Sequence, residues 1–320
     1  MSQLAENHAN DWRQLYPFAS HWADLRGGRM HYLDERPQTE PAGVDSPTLL
    51  FVHGNPTWSF HWRNFIAALR NEHRCVAVDH IGCGLSEKPQ KLFTLDDHID
   101  NLRALVENLD LKRITLVAQD WGGAIGLGTL LQTASRFERI ILFNAGAFPP
   151  RYIPWRIRAC RIPVLGRLAV QGANLFSRAA LRMTLARRSG LETAIAAGYL
   201  APYDSWPNRT AVYGFVRDIP TGPKDKTWQT LTEIERQLPE LSTLPTCLIW
   251  GMLDWCFRPD CLDRFRSAWP QSEIHRLLEV GHWVVEDHPS LSLALVTRFL
   301  ETTSSMEGNS LPTTTTARNN

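Results

Sequence analysis

The residues best suited to do chemistry sit in the run Ala118-Gln119-Asp120-Trp121-Gly122-Gly123. A β-rich apolar stretch, Ile114 to Ala118, precedes them, and a glycine-containing helical pattern follows to about Thr133. A small-x-nucleophile-x-small sequence at a strand-to-helix junction predicts a nucleophile elbow, a sharp turn that lifts its central side chain above the sheet. Small neighbours are needed because the turn leaves no room for branched side chains. Ala118 stands where glycine is commoner and keeps the small size. The first helical turn then offers free N–H groups and the positive end of a dipole. Here the central residue is an aspartate, already ionised at neutral pH, so it needs no base to become a nucleophile. It can displace a leaving group from an sp³ carbon and become an ester. A helix cap would explain an aspartate at this point, but neither its small flanks nor its partners.

In folds with this elbow the chain order is nucleophile, acid, histidine. Asp254 follows the strand pattern Thr246 to Trp250, in Gly251-Met252-Leu253-Asp254. His282 follows the pattern Ile274 to Leu278, in Val280-Gly281-His282-Trp283. The other place for the acid, the end of the strand Ile140 to Phe143, carries Asn144 and no carboxylate. Since Asp120 needs no activation, His282 is expected to take a proton from the water that attacks the ester, with Asp254 holding the imidazole tautomer. The loop His53-Gly54-Asn55-Pro56 completes the set. Backbone N–H groups of Asn55 and Trp121 are expected to form an oxyanion hole. The side chains of both are donors as well, and if they converge near Asp120 they bind a departing anion such as halide.

These loops need a scaffold, and the rest of the chain supplies one. Strand patterns at Thr48–Val52, Cys75–Val78, Ile114–Ala118, Ile140–Phe143, Thr246–Trp250 and Ile274–Leu278 alternate with helical spacing at Trp62–Leu69, Ile99–Leu109, up to Thr133 and at Pro289–Leu300. That alternation predicts a doubly wound α/β domain whose sheet is mostly parallel, with His31 to Glu35 and the segment before it as an antiparallel start. Between Pro149 and about Leu241 the rhythm stops. The expected division is therefore a core at 1–148, a helical cap at 149–241, a second core piece at 242–301 and a disordered tail at 302–320. Phe148, Trp155, Leu175 and Phe176 are the apolar residues expected to line the pocket beneath the cap.

Composition sets limits. Of 320 residues, 34 are Lys or Arg and 33 Asp or Glu, so no global field recruits nucleic acid or a membrane. The segment from Arg151 to Leu191 breaks that balance. It holds nine arginines (151, 156, 158, 161, 167, 178, 182, 187 and 188) with no lysine and no acid. Such a face either lays its stems along amphipathic helices or meets an acidic surface, another subunit included. Six scattered cysteines without a C-x-x-C pair, and a polar start lacking the order of a secretory signal, point to a reduced, cytoplasmic setting. No phosphate-binding loop, dinucleotide fingerprint or H-E-x-x-H is present, so neither cofactor nor metal is expected.

The motifs His53-Gly-Asn-Pro56, Asp79-His-Ile-Gly-Cys-Gly-Leu-Ser86, Gln119-Asp-Trp-Gly-Gly123, Gly251-Met-Leu-Asp254 and Gly281-His282 together resemble the haloalkane dehalogenases of the α/β-hydrolase superfamily, from before His31 to about Leu300. The set of Asp nucleophile, Asp acid, His base, Asn and Trp is similar to their third subfamily. The resemblance implies an eight-stranded α/β-hydrolase fold with an inserted cap, and cofactor-free hydrolysis of a carbon–halogen bond in a small apolar substrate. It also implies halide held by Asn55 and Trp121. The β-lactone decarboxylases of olefinic hydrocarbon synthesis resemble the chain in the same motifs. In those the aspartate would open a strained ring. Epoxide hydrolases share the Asp nucleophile but need cap tyrosines, for which Tyr152, Tyr199, Tyr203 and Tyr213 are available. A non-catalytic binding protein of the same fold is expected to lack at least one of the five residues, and all five are present.

Overall fold

The computed structural model describes residues 11–37, 47–187 and 189–308. Most of the polar start, Arg188 and positions 309–320 of the expected tail lie outside the described residues.

Eight strands form one sheet in the order β1-β2-β4-β3-β5-β6-β7-β8. They are β1 (Ser20–Leu25), β2 (Gly28–Glu35), β3 (Thr48–Val52), β4 (Arg74–Val78), β5 (Ile114–Asp120), β6 (Phe137–Ala145), β7 (Thr246–Gly251) and β8 (Glu273–Leu277). The first two pair antiparallel with each other, β2 pairs antiparallel with β4, and every other pairing is parallel. Strands β3, β5 and β7 are buried at every position, which is why they read as continuous apolar runs rather than alternating ones. Helices cover both faces. On one lie α2 (Leu95–Asn108) and α3 (Trp121–Gln132), packed by Leu102, Leu105, Ile125 and Leu127. On the other lie α1 (Arg63–Leu69) and the C-terminal helix Pro289–Gly308, packed by Phe65, Ile66, Val296 and Phe299. This is the α/β-hydrolase arrangement the motifs implied.

Between β6 and β7 the described chain forms helices and no strand. The longer ones are α4 (Trp155–Cys160), α5 (Leu175–Met183), α6 (Thr193–Leu200), α7 (Thr210–Asp218) and α8 (Lys226–Gln237). Among the described residues no helix is long and apolar enough to cross a membrane.

One boundary moves. The last helix continues to Gly308, so residues 302–308 of the expected disordered tail are helical. Their Ser- and Thr-rich composition argued against a helix, yet a tertiary contact overrides it. Thr303 is buried, its hydroxyl donates to the Phe299 carbonyl at 2.8 Å, and Arg139 donates to it at 2.8 Å.

Candidate active site

Asp120 ends β5 with φ 57° and ψ −130°, and α3 begins at the next residue. That left-handed geometry is costly for a side chain with a Cβ and persists only where its surroundings enforce it. Two glycines do so. A Cβ on Gly122 would lie 2.2 Å from the Val52 carbonyl oxygen, and one on Gly54 would lie 2.3 Å from Asp120 Oδ1. The Asp120 side chain makes no capping hydrogen bond to α3, so the helix-cap account of this residue does not hold. Its Oδ1 instead accepts from the Asn55 backbone N–H at 2.9 Å.

His282 sits in the loop after β8 with Nε2 3.3 Å from Asp120 Oδ2 and Nδ1 2.7 Å from Asp254 Oδ2. The Phe257 ring stacks on the imidazole, 5.5 Å between centroids. All three members of the triad are buried. Burial works against charge on the imidazole, but the charge of Asp254 and the hydrogen bonds and charge of the flanking carboxylates raise its pKa to about 10. At neutral pH it is therefore an imidazolium clamped between two acids. The sign of the pH effect follows. Stability from this clamp is complete below the ordinary histidine value near ~6.5 and is lost as pH rises through about 10. The melting temperature of the wild type, measured against His282→Gln, is expected to lose its advantage between those two values. A constant gap across that range would show that the clamp adds nothing.

Asp254 is fixed by neighbours that sequence reading passed over. Its Oδ2 accepts from the Asn144 side chain at 2.9 Å and its Oδ1 from the Cys256 backbone N–H at 2.7 Å. Asn144, at the strand end where a carboxylate had been sought, also bonds Gly251 through both ends of its amide. Asn144→Ala is expected to lower kcat about 10–100-fold and to cost about 1–3 kcal/mol in chemical denaturation, because it unpairs a buried acid.

A second buried chain reaches the histidine loop from below. The Gln119 amide donates to the His282 backbone carbonyl and its other end meets His61. His61 Nδ1 lies 2.7 Å from the Tyr199 hydroxyl, which donates to Glu286 at 2.6 Å, and Glu286 pairs with Arg63 at 2.5 and 3.0 Å. Burial, with Arg63 and His282 adding to it against the Gln119 contact, pushes His61 down to about 3. His61 is thus a neutral strut rather than a base.

Above the triad lies a cavity of about 360 Å³. Asn55, Asp120, Trp121 and His282 form its polar end, and Phe148, Ile157, Phe176, Val216, Ile219 and Leu231 are among its apolar walls. Of the four lining residues expected from sequence, Phe148, Leu175 and Phe176 are there, and Trp155 is not. Trp155 is 67% exposed because α4 turns Ile157 inward and presents Trp155 to solvent. The two residues expected to hold an anion both line the cavity and each retains a donor. Trp121 opens α3, and its indole N–H has no hydrogen-bond partner among the described residues. The Asn55 amide, however, donates to the Val212 carbonyl at 3.2 Å, which leaves one of its two protons for a ligand. Of the tyrosines that epoxide opening would need, Tyr152 lines the cavity and is 44% exposed, while the other three lie elsewhere. Tyr199 and Tyr203 donate to Glu286 and to the Thr57 carbonyl, and neither they nor Tyr213 line the cavity.

Among the described residues one group could gather around a metal ion, Cys247, Glu273 and His275 on β7 and β8. The Arg298 guanidinium already donates to Glu273 there at 2.5 Å, and its charge opposes a cation.

A parallel sheet, an aspartate elbow and a triad in the order acid then histidine define an α/β hydrolase. The model of the α/β-hydrolase fold family matches residues 47–289, and the chain belongs to that family. Among its relatives is a cis-3-alkyl-4-alkyloxetan-2-one decarboxylase of Shewanella oneidensis, 36% identical over 91% of both chains. A haloalkane dehalogenase of Mycobacterium bovis is 33% identical over 89% of this chain and 96% of that one. Among solved structures, the haloalkane dehalogenase DbeA of Bradyrhizobium elkani superposes with a TM-score of 0.80 at 25% identity, covering 90% of this chain and 99% of that one.

Proposed function

We propose that the protein opens and decarboxylates β-lactones bearing two alkyl chains, releasing an alkene and carbon dioxide, with Asp120 as nucleophile. The observation that carries this reading is the apolar chamber over Asp120. Its volume of about 360 Å³ falls within the ~300–1,000 Å³ range of small-molecule sites, and its walls are mainly apolar. The likeness to the oxetanone decarboxylases supports it too.

In this reading the 149–241 segment is a cap that closes over the alkyl chains and keeps water out. Asp120 attacks the ring carbon that bears oxygen, and the carbon–oxygen bond breaks with inversion. The product is an ester on Asp120 and a carboxylate on the neighbouring carbon, facing the free indole N–H of Trp121. The carbon–carboxylate bond then breaks, its electron pair forms the double bond, and the Asp120 carboxylate leaves with carbon dioxide. Inversion followed by anti fragmentation converts a cis ring into a cis alkene. The imidazolium of His282, 3.3 Å from Asp120, stabilises the carboxylate as it departs, and no water is consumed.

The second reading, halide release from an alkyl halide, has in its favour the unpartnered Trp121 indole and the complete five-residue set. Its ester must be hydrolysed. Esterification removes the negative charge of Asp120, which lets the His282 pKa fall until the imidazole serves as the base that Asp254 steers. Single-turnover reaction in ¹⁸O-water separates the two. Hydrolysis places heavy oxygen in Asp120, and fragmentation does not. Alkene and carbon dioxide from a cis-dialkyl oxetanone, with unlabelled Asp120, is the result expected. Halide release with labelled Asp120, and no alkene from the lactone, would transfer the assignment to the second reading.

A further inference from the structure

The helical segment after β6 carries a surface that the site does not use. Eight of its nine arginines are described, and none of them forms an ion pair with a carboxylate among the described residues. Elsewhere arginines are paired as a rule, as with Arg63, Arg74, Arg136, Arg264 and Arg298. Large apolar side chains stand exposed between the unpaired ones. Trp155, Val164 and Leu165 are each about two thirds exposed, and Ile162, Leu168 and Leu175 about half. Exposed leucines and tryptophan interleaved with uncompensated arginines are the composition of a surface that lies in a lipid headgroup layer. The cavity opens on the same side, for Arg151, Tyr152, Arg156 and Leu175 line it and are also exposed.

We propose that residues 151–182 rest on an anionic phospholipid bilayer, with the cavity mouth turned towards the acyl chains. The charge requires an anionic occupant. The position of the mouth decides which, because a protein partner or a second copy seated here would seal the opening that these four residues frame. A bilayer instead covers the mouth with the phase in which an apolar substrate dissolves. The docking does not depend on which reaction Asp120 performs.

Co-sedimentation of the full chain with equimolar phosphatidylglycerol–phosphatidylcholine vesicles tests this. Binding is expected to anionic vesicles and not to pure phosphatidylcholine, and to weaken steeply as salt rises to about 0.5 M. Charge reversal in Arg158→Glu/Arg167→Glu/Arg178→Glu/Arg182→Glu, and separately Val164→Ser/Leu165→Ser/Leu168→Ser, should each reduce binding about tenfold or more. None of these seven residues lines the cavity, so turnover of a dispersed short-chain substrate and the circular dichroism spectrum should be retained. Binding that ignores lipid charge, or survives both variants, overturns the proposal. So does a concentration-dependent dimer that the variants dissolve while vesicles are never bound.

Discussion

Asp120→Asn is expected to lower turnover by about 10⁴-fold or more with every substrate the protein accepts, the scale on which removal of a nucleophile acts. The substitution keeps the shape, so the Asn55 N–H can still meet Oδ1 as it does now at 2.9 Å. What disappears is the ready negative charge, and a neutral amide does not displace a carboxylate or halide from carbon. The readout is kcat together with the melting temperature. A variant that folds normally and retains more than a few per cent of wild-type turnover would remove Asp120 from the chemistry. Covalent catalysis would go with it.

His282→Gln is expected to be nearly as damaging at steady state, about 10³–10⁴-fold, but for a different reason. The first displacement needs only Asp120, so an adduct should accumulate on the peptide that carries it. Its mass tells the two chemistries apart. A lactone adds its whole mass to Asp120, whereas an alkyl halide adds the alkyl group and loses halide. Mass spectrometry after rapid quenching is the measurement, and an adduct on any other residue contradicts the assignment. The glutamine also tests the clamp, because its neutral side chain cannot supply the charge that sits between Asp120 and Asp254, 3.3 and 2.7 Å away.

Much of this site was legible in the sequence because its members follow strand ends, and strand ends leave local marks. Small residues around Asp120 marked the elbow, and Gly281-His282 marked the last loop. The fold followed from the same alternation of buried runs and helical spacing. What escaped notice lacks local marks. Gln119, His61, Tyr199, Glu286 and Arg63 meet across separations of 58 to 223 residues, and nothing in the neighbourhood of any one of them announces the others. Asn144 was seen only as a missing acid, since an amide that supports a carboxylate looks, in a sequence, like an amide doing nothing. Trp155 was placed inside because a helix of six residues is too short for its apolar face to be phased. The helical residues after Leu300 depend on Arg139 reaching Thr303 from 164 residues away, which composition does not register.

The aromatic packing near the start of the chain has its own consequence. Trp12 and Tyr16 lie 5.7 and 5.0 Å from Trp58, whose indole N–H donates to the Gly198 carbonyl in α6 at 3.0 Å. Tyr199 beside it stacks on Trp283, next to the triad histidine. The two arms of the helical segment between β6 and β7 meet the floor of the site differently. The later arm is riveted through α6 to Trp58 and Trp283, beside His282. The earlier arm is tied at the end of α5, where the Met183 carbonyl accepts from the Trp255 indole N–H at 2.7 Å and the Thr184 carbonyl from the Trp283 backbone N–H at 3.0 Å. The chamber can therefore be reshaped from α4 with less disturbance of the reaction centre than from the end of α5.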